Sequence, residues 1–182
     1  IWSLDNFTRG RKIRELFGAN LPFTFPVIAR YDNDSGTITM IKSMDLTLAY
    51  YQDPAVVSKK IRIYIDELKA YKGQETPWGR DKIVIKNSNI AKRQLTLVIP
   101  GNSIVSVVMK EIEQCRFYAA NNGVDLNVVK YGKKQIFGEE TEDEETGDKE
   151  SMDEESMAEE NKEEMKEKEP TYNMNKQGSE KP

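Results

Sequence analysis

Residues 21–45, LPFTFPVIARYDNDSGTITMIKSMD, form two β-type runs around a polar turn. Apolar and β-branched residues fill 23–31 and 37–44, and the DNDSG between them is typical of a turn, so the stretch predicts a β-hairpin. Because side chains alternate along a strand, Lys42 is expected on the same face as Met40. A strand lysine beside a hairpin is, by itself, typical of a solvated edge charge.

Three helices are predicted around this hairpin. The first covers residues 4–17 and ends at Gly18, with an apolar stripe of Leu4, Phe7, Ile13, Leu16 and Phe17. The second begins at Asp53 and Pro54, a good N-cap and first helical residue, and runs to Tyr71. The third is capped by Ser103 and runs to about Asn121, with an inward stripe of Ile104, Val105, Val108, Ile112, Cys115 and Ala119.

Further strands are predicted at 82–86, 94–99 and 125–131, and residues 74–80 are predicted to be a loop. The resulting order is α-β-β-α-β-β-α-β. This order favours an α/β fold in which a mixed β-sheet is flanked by helices.

The charge pattern divides the chain near Gly138. Residues 1–137 hold 21 Lys and Arg against 13 Asp and Glu, a net +8, whereas residues 138–182 hold 6 against 18, a net −12, which together give the −4 of the whole chain. We therefore predict one folded domain, 1–137, and a disordered acidic tail, 138–182. The basic domain suits a polyanionic partner. The tail is either a solvating segment or an electrostatic mimic of nucleic acid.

Two residue counts exclude several kinds of site. The chain contains no histidine, which excludes Ser/His/Asp and Cys/His catalytic systems and the HExxH zinc site. Its one cysteine, Cys115, excludes an intrachain disulfide and a cysteine-built zinc site, and is expected to be a small buried hydrophobic residue.

No run approaches the roughly 20 apolar residues that cross a bilayer, so this segment is not expected to insert into a membrane. The first residues, IWSLDNFTRGRK, lack the apolar region of a signal peptide. The chain begins with Ile rather than Met. We interpret it as a piece of a longer polypeptide, with any targeting information upstream.

Several short motifs in order resemble a known family. They are RGRKIRELFGANLPFTFPVI, TMIKSMDL, YYQDP, RQLTLVIP and GVDLNVV, and they span about residues 6–131. This order resembles the nuclease toxin domains at the C-termini of bacterial contact-dependent inhibition and related polymorphic toxins. The resemblance implies a restriction-endonuclease-like, PD-(D/E)xK fold. It also implies cleavage of RNA, including tRNA, delivery into a target bacterium as part of a larger protein, action in the cytoplasm, and a cognate immunity protein.

The resemblance also implies a site in which carboxylates hold a divalent ion, Mg²⁺ or Zn²⁺, against the scissile phosphate beside a lysine. The family pattern places an acidic residue after RGxxI, a second after FPVI, and a small polar residue two positions before the lysine. In this chain those positions hold Arg14, Ala29 and Met40, and only Lys42 matches.

Three explanations of these differences remain open. A deliberate substitution would account for Ala29 alone, and a naturally decayed toxin or an inactive paralogue would account for all three. Alternatively, a shifted set of carboxylates collects the metal beside Lys42, drawn from Glu15, Asp32 or Asp34, and Asp45. Asp45 would need a bulge or a strand end to converge on that point.

The charged residues have plain alternatives. Glu15 could pair with Arg11 at i,i+4, and Asp45 could hydrogen-bond the turn that follows it. Lys42 could be a solvated or ion-paired strand lysine. A basic cluster on the first helix is either a surface that tracks phosphates or a solvated face; it consists of Arg9, Arg11, Lys12 and Arg14.

Two functions follow. The first is a metal-dependent nuclease toxin with Lys42, Glu15 and Asp45 as catalytic candidates, acting on RNA in preference to DNA, with activity reduced or abolished by its substitutions. The second is a catalytically inactive member of the fold that binds nucleic acid or an immunity protein.

Overall fold

The computed structural model describes residues 1–136, which belong to one compact unit. The predicted acidic tail, 138–182, lies outside the described residues. None of the helices in the described part is long and apolar enough to cross a membrane.

A mixed sheet is the centre of the fold, as predicted, and it has four strands. In the described part of the chain the strands are β1 (Arg30–Asp32), β2 (Thr37–Ser43), β3 (Gln74–Trp78), β4 (Ile83–Ile85), β5 (Lys92–Ile99) and β6 (Val124–Lys130). The main sheet has the strand order β1-β2-β5-β6; β1 is antiparallel to β2, and the β2-β5 and β5-β6 pairs are parallel. The parallel pairs require crossover connections, and helices supply them.

The predicted hairpin is confirmed, but its first strand is much shorter than the apolar run suggested. Most of 23–29 is irregular, and only Arg30–Asp32 pairs with β2. Pro22 and Pro26 lack the N–H that a strand donates, and Val27 has a positive φ of 66°. This loop nevertheless buries Phe25 and Ile28, which explains its apolar composition.

The turn of the hairpin depends on Gly36, because its φ is +67° and a Cβ there would lie 2.5 Å from the carbonyl oxygen of Asn89. Gly123 has a similar φ of +70°, but a Cβ there would meet no atom within 4 Å. We therefore expect Gly36→Ala to lower the free energy of unfolding by at least about 1 kcal/mol more than Gly123→Ala, since only the former adds a clash to the backbone strain. Urea unfolding of both variants measures this difference; equal losses would contradict it.

Two helices connect the parallel strands. Helix α2 (Pro54–Ala70) follows β2, and the Asp53 side chain accepts a hydrogen bond from the Ala55 N–H, which confirms the predicted cap.

Helix α3 (Ser106–Asn121) follows β5 and begins later than predicted, without a cap from Ser103. Val105 precedes it and is 48% exposed, so the prediction that this residue points inward is wrong. The segment before α3 is instead bound to the chain after β6, because the Asn102 side chain forms hydrogen bonds of 3.0 and 2.8 Å with the backbone of Lys134.

Helix α1 (Asn6–Leu16) is capped by Asp5 and packs on the sheet through Ile13. The prediction of a single apolar stripe is wrong, because Phe7 and Leu16 are 62% and 55% exposed. Phe7 instead packs edge-on against Phe23 of the following loop, with ring centres 4.9 Å apart.

A second, two-stranded sheet replaces part of the loop predicted at 74–80. It pairs β3 with β4 in antiparallel fashion. Most of β3 is exposed and contains Pro77, so its sequence shows no apolar alternation. Trp78 packs edge-on against Phe25, with ring centres 5.0 Å apart.

The two faces of the main sheet are covered differently. We call them the α1 face, on which Ile41 and Val98 join Ile13 in one apolar cluster, and the α2 face, on which Lys42 lies against Tyr64. Residues 95–99 of β5 form a continuous buried run, as expected for a strand covered on both sides. The prediction that Cys115 is buried is confirmed, and burial raises the pKa of its thiol.

Candidate active site

Lys42 lies near the end of β2 on the α2 face, together with Met40, as strand alternation predicts. Its Nζ is 5.0 Å from the centre of the Tyr64 ring, a cation–π distance, and the side chain is half-buried. Met40 is 1% exposed. The lysine is therefore held by α2, beside a thioether that is a poor ligand for Mg²⁺.

Arg14 occupies the first acidic position of the family pattern. Its Nη2 donates to the carbonyl oxygens of Pro22 and Ile28, each at 3.4 Å, and its guanidinium carbon lies 5.3 Å from the Phe23 ring centre. Burial lowers the pKa of this guanidinium, and among the described residues its Nε has no hydrogen-bond partner. A cation that donates to carbonyl oxygens thus occupies the position where the pattern places an anion.

Ala29 occupies the second acidic position and is 1% exposed. It packs within the apolar cluster of the α1 face, whose buried members are Trp2, Ile13, Ala29, Ile41 and Val98. Its backbone N–H donates to the carbonyl oxygen of Thr39 at 2.8 Å, which places it beside Met40 across the hairpin. The backbones of positions 29 and 40 are therefore neighbours, but the Ala29 methyl belongs to the α1 face and Met40 points to the α2 face. None of the side chains at positions 14, 29 and 40 carries an oxygen ligand.

The alternative carboxylates are not gathered by the structure. Glu15 is exposed and pairs with Arg11 at 3.6 Å, as its plain alternative predicts. The Asp32 carboxylate accepts hydrogen bonds from the Asp34 N–H and the Ser35 hydroxyl, and these bonds lower its pKa. Asp34 is exposed in the same turn.

Asp45 lies beyond the end of β2 and is 1% exposed. Its carboxylate accepts from Lys134 at 2.7 Å and from the Thr47 hydroxyl at 2.6 Å, and it accepts the Thr47 N–H at 3.1 Å. These contacts confirm that Asp45 hydrogen-bonds the turn that follows it. An ion pair with the distant Lys134 balances its charge.

A divalent ion of the Mg²⁺ type requires several oxygen ligands converging on one point. Within residues 1–136, no three Asp, Glu, Cys or His side chains converge closely enough to hold a metal ion. The residues at positions 14, 29 and 40 add a guanidinium, a methyl group and a thioether. The described residues therefore do not fit the divalent ion that the resemblance implies.

The basic cluster of α1 is divided between the interior and the surface. Arg9 is 8% exposed; its Nε donates to the Ser43 hydroxyl and its Nη2 to the Asn6 amide oxygen. Arg14 is half-buried against the loop that follows α1. Only Arg11 and Lys12 of the four are exposed. Arg9 is therefore engaged in interior contacts. The phosphate-binding surface stays a prediction, in which Arg11 and Lys12 are the exposed cations.

Sequence reasoning missed a polar cavity on the α1 face. Its volume is about 390 Å³, and it is lined by Phe17, Arg30, Asp32, Thr37, Thr39, Gln94, Thr96 and Asn127. The signal in the sequence was weak: polar residues alternate with buried aliphatic ones in TITM and QLTL, which is ordinary for a strand with one solvated face. The structure shows that these polar positions come together.

A scan of family models identifies residues 9–129 as a CDI (contact-dependent inhibition) toxin restriction endonuclease-like domain. No curated protein matches the chain. Among solved structures, a CdiA-CT/CdiI toxin and immunity complex from Yersinia pseudotuberculosis matches with a TM-score of 0.54 and 19% identity, over 65% of this chain and 98% of that chain. At this identity the structural match supports the fold. The family model covers most of the chain, and the protein therefore belongs to the family of CDI toxin restriction endonuclease-like domains.

Proposed function

We propose that this toxin-family domain binds RNA without cleaving it by a metal-dependent reaction, and that a cognate immunity protein binds it. The observation that carries the proposal is the environment of the family's acidic positions. Ala29 is enclosed by apolar side chains, Met40 is buried, and Arg14 directs a cation at backbone carbonyls. A hard divalent ion would find no oxygen ligand on these three side chains.

Charge supports a polyanionic ligand. Residues 1–137 carry a net +8, and Arg11 and Lys12 expose two cations on one turn of α1. Phosphate contacts by exposed cations provide affinity for nucleic acid without requiring a chemical step. The immunity partner is supported by the family and by the similar fold in the toxin and immunity complex.

The experiment combines the full chain with total RNA and with plasmid DNA, in Mg²⁺, in Zn²⁺ and in chelator. We expect RNA to be retained in a mobility-shift assay and to remain intact in all three conditions. Absence of RNA binding at low salt would overturn the proposal.

Metal-dependent RNA cleavage is the second candidate, and the position of Lys42 favours it. The lysine of the family pattern is retained on the same strand and is held in place against Tyr64. The same assay separates the two functions: cleavage that chelator stops and that Lys42→Ala abolishes would establish a nuclease.

The two exposed cations give a specific prediction. We expect the double variant Arg11→Ala, Lys12→Ala to weaken RNA binding and to reduce the slope of log affinity against log salt by about 1.4, since each phosphate contact to a single strand contributes about 0.7. The matched control is Lys110→Ala, Lys130→Ala, which removes the same charge from two other exposed positions. Equal changes in both double variants would show that only net charge matters.

The same cluster predicts a different result for Arg9. Because its guanidinium bonds to Asn6 and Ser43 and lies 5.6 Å from the Trp2 ring centre, Arg9→Met is expected to lower the free energy of unfolding by about 1–3 kcal/mol. RNA affinity per folded molecule is expected to stay unchanged. A variant that is as stable as the parent but binds RNA tenfold more weakly would show instead that Arg9 contacts the ligand.

A further inference from the structure

The polar cavity of the α1 face lies where α1 leaves the sheet uncovered. Strand alternation places Thr37 and Thr39 on the same face as Ile41, and Gln94 and Thr96 on the same face as Val98. Ile41 and Val98 are covered by the α1 cluster, whereas the four polar residues come earlier along the two parallel strands. One end of this sheet face is therefore apolar and covered by α1, and the other end is polar and open, and it forms the cavity.

Strand register fixes the layout of the cavity floor. Thr39 is paired with Gln94, and Thr96 with Asn127. Paired residues of neighbouring strands are about 5 Å apart, and residues two apart on one strand are about 7 Å apart. Three neighbouring strands thus present hydroxyl and amide groups over roughly 10 by 7 Å, an area that can hold one planar heterocycle.

The polar groups of the floor are available to a ligand. Thr39 and Thr96 are each 7% exposed, yet both line the cavity. Among the described residues, the side chains of Thr39, Gln94, Thr96 and Asn127 make no hydrogen bond to another protein group. These polar atoms are open to the cavity, because the buried unpaired side-chain atoms of the described residues are Arg14 Nε and Tyr71 OH. A ligand or water can therefore complete their hydrogen bonds.

Phe17, Arg30 and Asp32 form the rim of the cavity, and they add an aromatic ring, a positive charge and a negative charge. Phe17 contributes an aromatic ring, which also packs edge-on against Tyr131 at 5.6 Å. Arg30 holds its Nη1 on the Gly18 carbonyl oxygen at 2.9 Å. Asp32 stands two residues further along β1 and stays ionised, because its hydrogen bonds from the turn lower its pKa.

We infer that this cavity binds the nucleobase of a ribonucleotide. Amide side chains read base edges with paired donors and acceptors, and an aromatic ring stacks on the base plane. The exposed guanidinium of Arg30 suits the phosphate, and the Asp32 carboxylate suits an N–H donor of the base. A cavity of about 390 Å³ lies in the range of small-ligand sites.

This inference deepens the proposed function by assigning a base-reading site to the RNA ligand. It places that site on the face opposite Lys42, so base recognition and any chemistry at Lys42 would act on different parts of the nucleic acid. It does not depend on metal binding or on cleavage.

The test titrates the full chain with the four ribonucleoside 5′-monophosphates, and with ribose 5-phosphate as the ligand that lacks a base. We expect at least one monophosphate to bind at least tenfold more tightly than ribose 5-phosphate in isothermal titration calorimetry. Gln94→Leu, which removes the amide and leaves an aliphatic side chain, is expected to weaken binding of that monophosphate at least tenfold. The matched control is Gln114→Leu, at an exposed position of α3, and it should bind like the parent.

Asn127→Leu provides a second variant, because Asn127 is exposed and its replacement leaves the core unchanged. Circular dichroism confirms that each variant is folded before titration. No binding by any monophosphate, equal binding of ribose 5-phosphate, or parent-like binding by both folded variants would overturn the inference.

A single-stranded RNA oligonucleotide in place of the monophosphates separates this inference from the proposed function. RNA that binds equally to the parent and to Gln94→Leu, without monophosphate binding, would remove the base site and leave the RNA-binding proposal standing. Monophosphate binding that Gln94→Leu abolishes, without RNA binding, would retain the cavity as a free-nucleotide site and remove the RNA-binding proposal.

Discussion

Lys134→Met is expected to lower the free energy of unfolding by about 3–5 kcal/mol, the usual consequence of leaving a buried charge without its partner. The Asp45 side chain is 2% exposed and that of Lys134 is 27% exposed, with 2.7 Å between Nζ and the carboxylate oxygen. The backbone of Lys134 keeps its two hydrogen bonds with Asn102 in the variant. The loss therefore reports the missing ammonium group, and urea unfolding measures it.

Two controls bound this prediction. Glu15→Gln breaks an exposed pair whose side chains are 69% and 60% exposed, and such pairs contribute about 0.5 kcal/mol or less. Asp45→Asn combined with Lys134→Met removes both charges and is expected to recover a large part of the loss. A loss of less than about 1 kcal/mol in Lys134→Met alone would show that Asp45 does not need this partner.

The parts of the fold that sequence predicted are those encoded locally. Asp53 and Pro54 determine the start of α2, and the alternation in β2 places Lys42 and Met40 on one face. The run 94–99 correctly predicted a strand, which the structure extends to Lys92–Ile99. Each of these depends on residues that are close together in the chain.

The parts that were missed depend on contacts between distant residues. Strand β3 carries proline and exposed polar residues, and its pairing depends on β4 and on the contact of Trp78 with Phe25. The partner of Asp45 is 89 residues away. No local pattern reports such contacts, which are created only when the sheet assembles.

The candidate site shows the same division. The sequence alone shows Arg14, Ala29 and Met40 at the positions where the family pattern has metal ligands, and these side chains do not suit a metal site. The contacts of these residues could not be predicted from the sequence. The Pro22 and Ile28 carbonyls accept hydrogen bonds from Arg14, and apolar side chains enclose Ala29. The cavity was missed because its polar residues belong to four strands, β1, β2, β5 and β6, which come together only when the sheet assembles.

Ala29→Asp is expected to lower the free energy of unfolding by about 3–5 kcal/mol near neutral pH, because it places a carboxylate among buried apolar side chains. Burial raises the pKa of an introduced carboxyl above its value in the unfolded chain. The destabilisation is therefore smallest below the unfolded pKa and grows as pH rises through the raised folded pKa. Ala29→Asn is the matched control, since its similar side chain does not ionise; equal pH profiles for the two variants would contradict this argument.

The triple variant Arg14→Glu, Ala29→Asp, Met40→Ser tests whether the fold can still bind a divalent metal ion. Arg14 contacts the Ile28 carbonyl beside Ala29, and the Ala29 N–H bonds to Thr39 beside Met40, although the side chains of Ala29 and Met40 lie on opposite faces of the sheet. If the three positions still converge, the triple variant should be less stable than the parent in chelator and should regain stability as Mg²⁺ or Zn²⁺ is added, by the mass action of a ligand that binds only the folded state. The parent should show no such gain.

Metal-dependent stability together with RNA cleavage would mean that these three side chains alone separate this chain from a nuclease. Metal-dependent stability without cleavage would mean that the surroundings of Lys42 have diverged as well, and no response to metal would mean that the three positions no longer converge.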